Sequence, residues 1–206
     1  QMITVTSIVS YSALGGSAYN SAHNPASSGM VLVFSCTSYG APTYGGIAMA
    51  LVDSVTVGAY TFGVYAIKTT AGSYTLSIAS QPDYQAVFVS EASAILASWK
   101  AASKNLAVTP SGIGACCDFL WSSGSDTGGY NTTPPTGYSE VADSKSIGSG
   151  GDWGKGIENS YRVNPPSETL ACTNSASSFA QIAVQLIPEQ VGGASVSVMN
   201  EIGVAI

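Results

Sequence analysis

Hydrophobic residues in this chain occur in short runs separated by polar positions, a pattern typical of β-strands. The run at 30–36 (MVLVFSC) is almost wholly apolar, which predicts a strand buried on both faces. Gly, Pro, Ser and Asn separate the runs, so the pattern favours an all-β fold, an antiparallel sandwich or barrel. Further strands are predicted at 60–67, 73–79, 84–90, 115–121, 157–163, 169–173 and 179–187.

Two segments deviate from this pattern. A short helix and a loop between two β halves are both compatible with residues 91–103, where four residues follow helical spacing. Those four residues are Ala92, Ile95, Leu96 and Trp99. Residues 45–67 are long and almost uncharged, but Asp53 and scattered small polar residues interrupt them. We therefore predict two consecutive strands there and no membrane span.

The second half of the chain resembles the first, which predicts an internal duplication. Three pairs of segments carry the similarity: Leu51-Val-Asp-Ser54 with Val141-Ala-Asp-Ser144, Tyr65-Ala-Ile67 with Tyr161-Arg-Val163, and Tyr84-Gln-Ala-Val87 with Phe179-Ala-Gln-Ile182. We therefore expect one sandwich over 1–188, built from halves of about 1–100 and 101–188.

Two regions lie outside the strand pattern. Residues 122–156 are rich in Ser, Gly, Thr and Pro, which indicates a long loop. Aromatic residues in or beside it either contact a glycan or a partner protein or cover the ends of the sandwich. They are Trp121, Tyr130, Tyr138 and Trp153.

Residues 189–206 alternate apolar and small residues, which predicts a strand that pairs within its own domain or with another subunit. Its candidate contacts between subunits are Val196, Val198, Ile202, Val204 and Ile206.

Composition excludes several classes of protein. Only 9% of the residues are charged, and 6 Lys+Arg face 12 Asp+Glu. So few cations are poorly suited to a phosphate backbone, so nucleic-acid binding is not expected. Zinc would need four convergent ligands, and the paired C-x2-C spacing is absent, so we predict no metal and no cofactor. The four cysteines are expected to be buried free thiols: Cys36, Cys116, Cys117 and Cys172.

The residues of hydrolytic enzymes are largely missing. His23 is the single histidine and lies in a turn-rich segment, and no G-x-S-x-G motif surrounds any serine. Asp118 interrupts an apolar run, which indicates either an outward-facing strand residue or a buried acid that requires a partner. We therefore predict that the chain is not an enzyme.

Three motifs resemble those of a known group of proteins. They are Pro42-Thr-Tyr-Gly-Gly, Tyr161-Arg-Val-Asn-Pro-Pro and Ser178-Phe-Ala-Gln-Ile-Ala-Val. Read together over about 28–188, they resemble jelly-roll, lectin-like β-sandwich modules in structural proteins of tailed bacteriophages and in some bacterial surface proteins. The resemblance carries structural glycines, turns and core positions, and no catalytic residues.

The resemblance implies a virion structural protein of a tail, fibre, baseplate or head decoration, acting as an assembly scaffold. Its expected partners are other copies of itself and other virion proteins. The alternative is a carbohydrate-binding adhesin or lectin-like module, which would bind host surface glycans. The location implied is the virion, or alternatively the outside of a cell or a bacterial surface.

Overall fold

The structure is a computed structural model that describes residues 3–125, 132–147 and 154–189. Within these residues the chain forms fourteen strands and one 3₁₀ turn, Thr37–Tyr39. The strands are β1 (Val5–His23), β2 (Gly29–Cys36), β3 (Thr43–Tyr44), β4 (Ile47–Ala48), β5 (Ala50–Val57), β6 (Tyr60–Thr69), β7 (Tyr74–Ser90), β8 (Ala92–Ala101), β9 (Asn105–Val108), β10 (Ala115–Gly124), β11 (Ser139–Ile147), β12 (Gly154–Val163), β13 (Glu168–Ala171) and β14 (Ser178–Pro188).

The described strands form two large antiparallel sheets and one small one. The first sheet has the order β4-β3-β7-β2-β6-β5, and β1 pairs with β7. The second sheet has the order β11-β12-β10-β14-β8. The small sheet pairs β9 with β13, and we call it the outer layer. The prediction of an all-β sandwich is therefore confirmed.

The main core lies between the two large sheets. Every residue of β2 is buried, as its continuous apolar run predicts. The Phe34 ring stacks on Phe62 within its own sheet at 5.6 Å and on Phe119 of the second sheet at 5.7 Å. Full burial of one such ring contributes about 2–3 kcal/mol, so this stack is a main link between the sheets.

The outer face of each sheet is also covered. The long strands β1 and β7 pair between Val5 and His23 with an interruption after Ser12, and the first part of β7 also pairs with β3. Tyr44 of β3 packs with Val31 and Val33 on the outer face of the first sheet. On the second sheet the outer layer covers the face opposite the main core, where Leu106 and Leu170 pack near Cys116. Adjacent Cys116 and Cys117 point to opposite faces, yet both are buried because both faces are covered.

The two large sheets repeat one strand order. From edge to edge, β5-β6-β2-β7-β1 in the first corresponds to β11-β12-β10-β14-β8 in the second. The corresponding edge strands β5 and β11 carry a bulge at the equivalent point, at Val52 in β5 and at Val141 in β11. Both valines pack against the main core. A duplicated half-sandwich would produce this arrangement, although common descent of the halves stays a prediction.

The structure corrects details of the predicted repeat. The bulges align Val52 with Val141, one residue away from the match of Leu51 with Val141. Tyr65 packs on the outer face of its sheet, whereas Tyr161 packs against the main core, so these two tyrosines are not equivalent. The chain passes between the sheets at Glu91, before the boundary expected near residue 100.

Two segments for which the sequence predicts a helix or a loop contain strands. Residues 92–101 form β8 and no helix, because pairing with β14 places Ile95 in the main core and Trp99 under the outer layer, on opposite faces. Tertiary pairing thus overrides the helical spacing. Strand β11 lies inside the expected loop 122–156, and it was missed because an exposed edge strand of polar residues gives little apolar signal.

The segment 45–67 contains β4, β5 and most of β6, so the prediction of strands there is confirmed. Within the three described ranges, no helix has the length and hydrophobicity needed to cross a membrane.

Candidate functional site

Two of the four predicted aromatic contact residues lie within the described part of the chain. Trp121 is 4% exposed and stacks on Phe62 at 4.7 Å. Tyr138 is 8% exposed and packs near Cys116. Their burial favours the interpretation that these rings cover the sandwich, and their direct contact with a glycan or partner stays a prediction.

The other predicted contact residues lie outside the described residues. They are Tyr130, Trp153, Val196, Val198, Ile202, Val204 and Ile206. Their roles in glycan binding and in contacts between subunits remain predictions.

A buried ion pair joins the two sheets beside Trp121. The Asp83 carboxylate accepts hydrogen bonds from Ser12 Oγ at 2.7 Å and from the Trp121 indole N–H at 3.1 Å. Lys155 Nζ lies 3.0 Å from the same carboxylate, and both side chains are largely buried. The pair lets a carboxylate lie in the interior, which makes it a structural element of the sandwich.

A cavity bounded by described residues opens on the outer face of the first sheet. Its volume is about 370 Å³, within the range of small-molecule sites. We call it the tyrosine pocket, and its lining consists of Tyr44, Gly45, Ile47, Ile67, Lys68, Thr69, Thr70 and Tyr74. This lining combines an apolar wall with hydroxyl groups and one ammonium group.

Two stacked tyrosines form the polar side of the tyrosine pocket. The Tyr44 and Tyr74 rings lie 4.9 Å apart and nearly parallel. A hydrogen bond of 2.8 Å joins the Tyr44 hydroxyl to His23 Nδ1, and one of 3.0 Å joins the Tyr74 hydroxyl to Thr70. Burial lowers the pKa of His23, so its imidazole is neutral at pH 7. Both phenols are thus held in fixed orientations.

Two glycines keep the Tyr74 ring in place. A Cβ at Gly45 would lie 3.2 Å from the ring, and one at Gly72 would lie 3.1 Å from it. Gly45 also has a φ of +58°, which glycine adopts most easily. A side chain at either position would require the ring to shift by a few tenths of an ångström.

Sequence reasoning missed this pocket. In the sequence Tyr44 belongs to the motif Pro42-Thr-Tyr-Gly-Gly and Tyr74 to the strand predicted at 73–79, and nothing in their spacing places them together. The one local signal is the Gly45-Gly46 turn after Tyr44. It predicts a tight hairpin, but it does not predict that Tyr74 lies beside it.

The outer face of the second sheet carries a different set of side chains. Asp118 is 1% exposed, and its Oδ2 accepts a hydrogen bond of 2.8 Å from Gln181 Nε2. Asp118 is therefore a buried acid with a partner, the second of the two alternatives that its sequence position allows.

All four cysteines are free and buried, as predicted.

Two questions bear on the function of this chain: whether the described residues form a metal-binding cluster, and whether known proteins are similar to it. Within the described ranges, no three or more His, Cys, Asp or Glu residues form a group able to hold a metal ion. No family model, curated protein or solved structure matches this chain. The phage resemblance therefore depends on the sequence motifs, and the tyrosine pocket is the candidate functional site.

Proposed function

We propose that this chain is a non-enzymatic module of a virion or cell surface that binds a carbohydrate in the tyrosine pocket. The observation that carries the proposal is the pair of oriented tyrosines and a threonine hydroxyl beside an apolar wall. A sugar ring has an apolar C–H face and a rim of hydroxyl groups, and tyrosine complements both.

The pocket favours a neutral or acidic sugar. The apolar side chains of Ile47 and Ile67 would cover the C–H face of the ring. The hydroxyl groups of Thr70 and Tyr74 would exchange hydrogen bonds with the sugar hydroxyls. Lys68 supplies the charge of the described lining, and it forms an exposed ion pair with Glu189 at 3.2 Å. A carboxylate on the sugar would compete with Glu189 for this ammonium group.

Glycan-array binding of the full chain, followed by titration calorimetry with the best glycan, tests this proposal. We expect Tyr74→Ala to weaken binding about tenfold or more through loss of the ring contact. Tyr39→Ala is the matched control, because Tyr39 is 42% exposed and lies outside the pocket lining. An array without hits, or equal binding by both variants, would overturn the proposal.

The assembly scaffold is the second candidate, and exposed leucines on two adjacent edges favour it. Leu51 on β5 is 51% exposed and Leu96 on β8 is 48% exposed. The edges are joined where Lys100 Nζ lies 2.6 Å from Asp53. Light scattering after size-exclusion chromatography tests this role. A scaffold should form an oligomer that Leu51→Ser with Leu96→Ser weakens, and a monomer at high concentration would contradict it.

A further inference from the structure

A buried carboxyl group helps to attach the outer layer to the second sheet, beside the apolar contacts under the layer and the ion pair between Arg162 and Glu168. Asp118 Oδ2 accepts hydrogen bonds from Gln181 Nε2 at 2.8 Å and from Cys172 Sγ at 3.6 Å. The Gln181 amide also donates to the Leu170 carbonyl of β13 at 3.3 Å. Asp118 therefore links β10 and β14 of the sheet to β13 and the residue that follows it.

A second buried carboxyl group lies on the same face. Glu158 on β12 is 1% exposed, and among the described residues neither of its oxygens has a hydrogen-bond partner of good geometry, although the Ser160 side chain is close. Asp118 Oδ1 likewise has no partner in the described part of the chain. In the sheet register Ser160 lies opposite Asp118, which places Glu158 diagonally across from it. Two carboxyl groups thus share one buried region.

The charges around this pair do not compensate for two anions. In the sheet register Asp143 lies opposite Glu158 and Glu140 lies opposite Ser160, so further acids flank the pair. The other titratable or charged groups on this face or in the layer above it are Cys116, Cys172, Tyr138, Glu168, Arg162, Lys104 and Lys145. Arg162 pairs with Glu168 at 2.9 Å, and Lys104 donates to the Asn174 carbonyl at 2.8 Å. Lys145 is exposed on the edge strand.

We propose that Asp118 and Glu158 form a pH-sensitive latch that holds the outer layer closed while Glu158 is protonated and releases it when both carboxyl groups are charged. Burial raises the pKa of Asp118 to about 7. Burial, followed by repulsion from Asp118, raises the pKa of Glu158 to about 9. Two adjacent buried anions are unfavourable, and opening of the layer would hydrate both.

The four free cysteines report on this opening. Cys116 lies under the outer layer, and Cys172, which follows β13, is buried against Asp118 beneath it. Cys36 and Cys117 lie in the main core. Opening of the layer alone should expose the first pair and leave the second protected. Global unfolding should expose all four, so the two events are distinguishable in one experiment.

The test is native-state alkylation between pH 6 and 10, with each cysteine mapped by fragment mass spectrometry. Rates are divided by those of the urea-unfolded chain at the same pH, which removes the intrinsic reactivity of the thiol. We expect corrected labelling of Cys116 and Cys172 to rise about tenfold per pH unit between pH 7 and 9, as release of one proton requires, and then to level off.

Glu158→Gln should make this profile nearly flat above pH 8, because Asp118, whose pKa is about 7, is then almost fully charged. Glu140→Gln is the matched control, since it changes an exposed acid on the same face and should leave the rise in place. If the glutamine variant folds poorly, the wild-type profile decides the question. A wild-type profile without the rise, or equal labelling of all four cysteines, would overturn the proposal.

Discussion

The buried ion pair between the sheets gives the sharpest test of how the sandwich is held together. Replacing Asp83 by Asn keeps the shape and leaves one oxygen to accept from Trp121, while its amide group donates to Ser12 Oγ. The variant therefore removes mainly the charge that faces Lys155, whose side chain is 13% exposed. Removing one partner of such a pair costs about 3 kcal/mol of the free energy of unfolding.

Equilibrium urea denaturation followed by tryptophan fluorescence measures this loss. At a slope of about 2 kcal/mol per molar urea, the midpoint should fall by about 1.5 M. Adding Lys155→Met should restore about 1.5 kcal/mol or more, since the second charge then no longer lies beside a neutral group.

Asp53→Asn is the matched control for this experiment. Asp53 also contacts a lysine, Lys100 at 2.6 Å, but the lysine side chain is about half exposed. An exposed pair contributes at most about 1 kcal/mol. A cost for Asp83→Asn no larger than that of this control would refute the reasoning.

Three further predictions concern stability in urea or heat. Gly112 and Gly114 both have φ values near +75°, but a Cβ at Gly114 would lie 1.8 Å from the Leu186 carbonyl oxygen. Gly114→Ala should therefore lower the free energy of unfolding by at least about 3 kcal/mol more than Gly112→Ala. Equal losses for the two variants would contradict this backbone contact. Glu91 has a φ of 58°, so Glu91→Gly should raise the free energy of unfolding by about 0.5 kcal/mol, and a lower melting temperature would count against it. Because the pKa of Glu158 is raised from 4.5 in the unfolded chain to about 9 on folding, its stabilisation is complete below pH 4.5 and is lost as the pH rises towards 9. Wild type should lose about 4 kcal/mol from this group between pH 5 and 8, and Glu158→Gln should lose correspondingly less; parallel pH profiles would exclude this origin.

Strands buried on both faces could be predicted from the sequence, whereas the edge strands β8 and β11 could not. β2 and β10 carry dense apolar runs because sheets or layers cover both of their faces. β8 and β11 lie at edges, where small and polar residues suffice, so their local pattern does not distinguish a strand from a helix or a loop.

The candidate site depends on contacts between distant residues, which a local pattern does not contain. Tyr44 and Tyr74 meet because β3 pairs with β7, and that pairing is a property of the whole sheet. Asp118 was conspicuous in the sequence because it interrupts an apolar run. Its partner Gln181 was not, since a glutamine in a strand is equally compatible with the surface.

The repeated strand order means that neither half can bury its hydrophobic face without the other. A protein corresponding to half of this chain would be stable only as a symmetric pair, since each sheet supplies one wall of the interior. Joining the halves in one polypeptide removes the requirement that they be identical. The outer faces of the two sheets differ accordingly: the first carries a recess of aromatic and hydroxyl groups, and the second carries buried carboxyl groups and thiols.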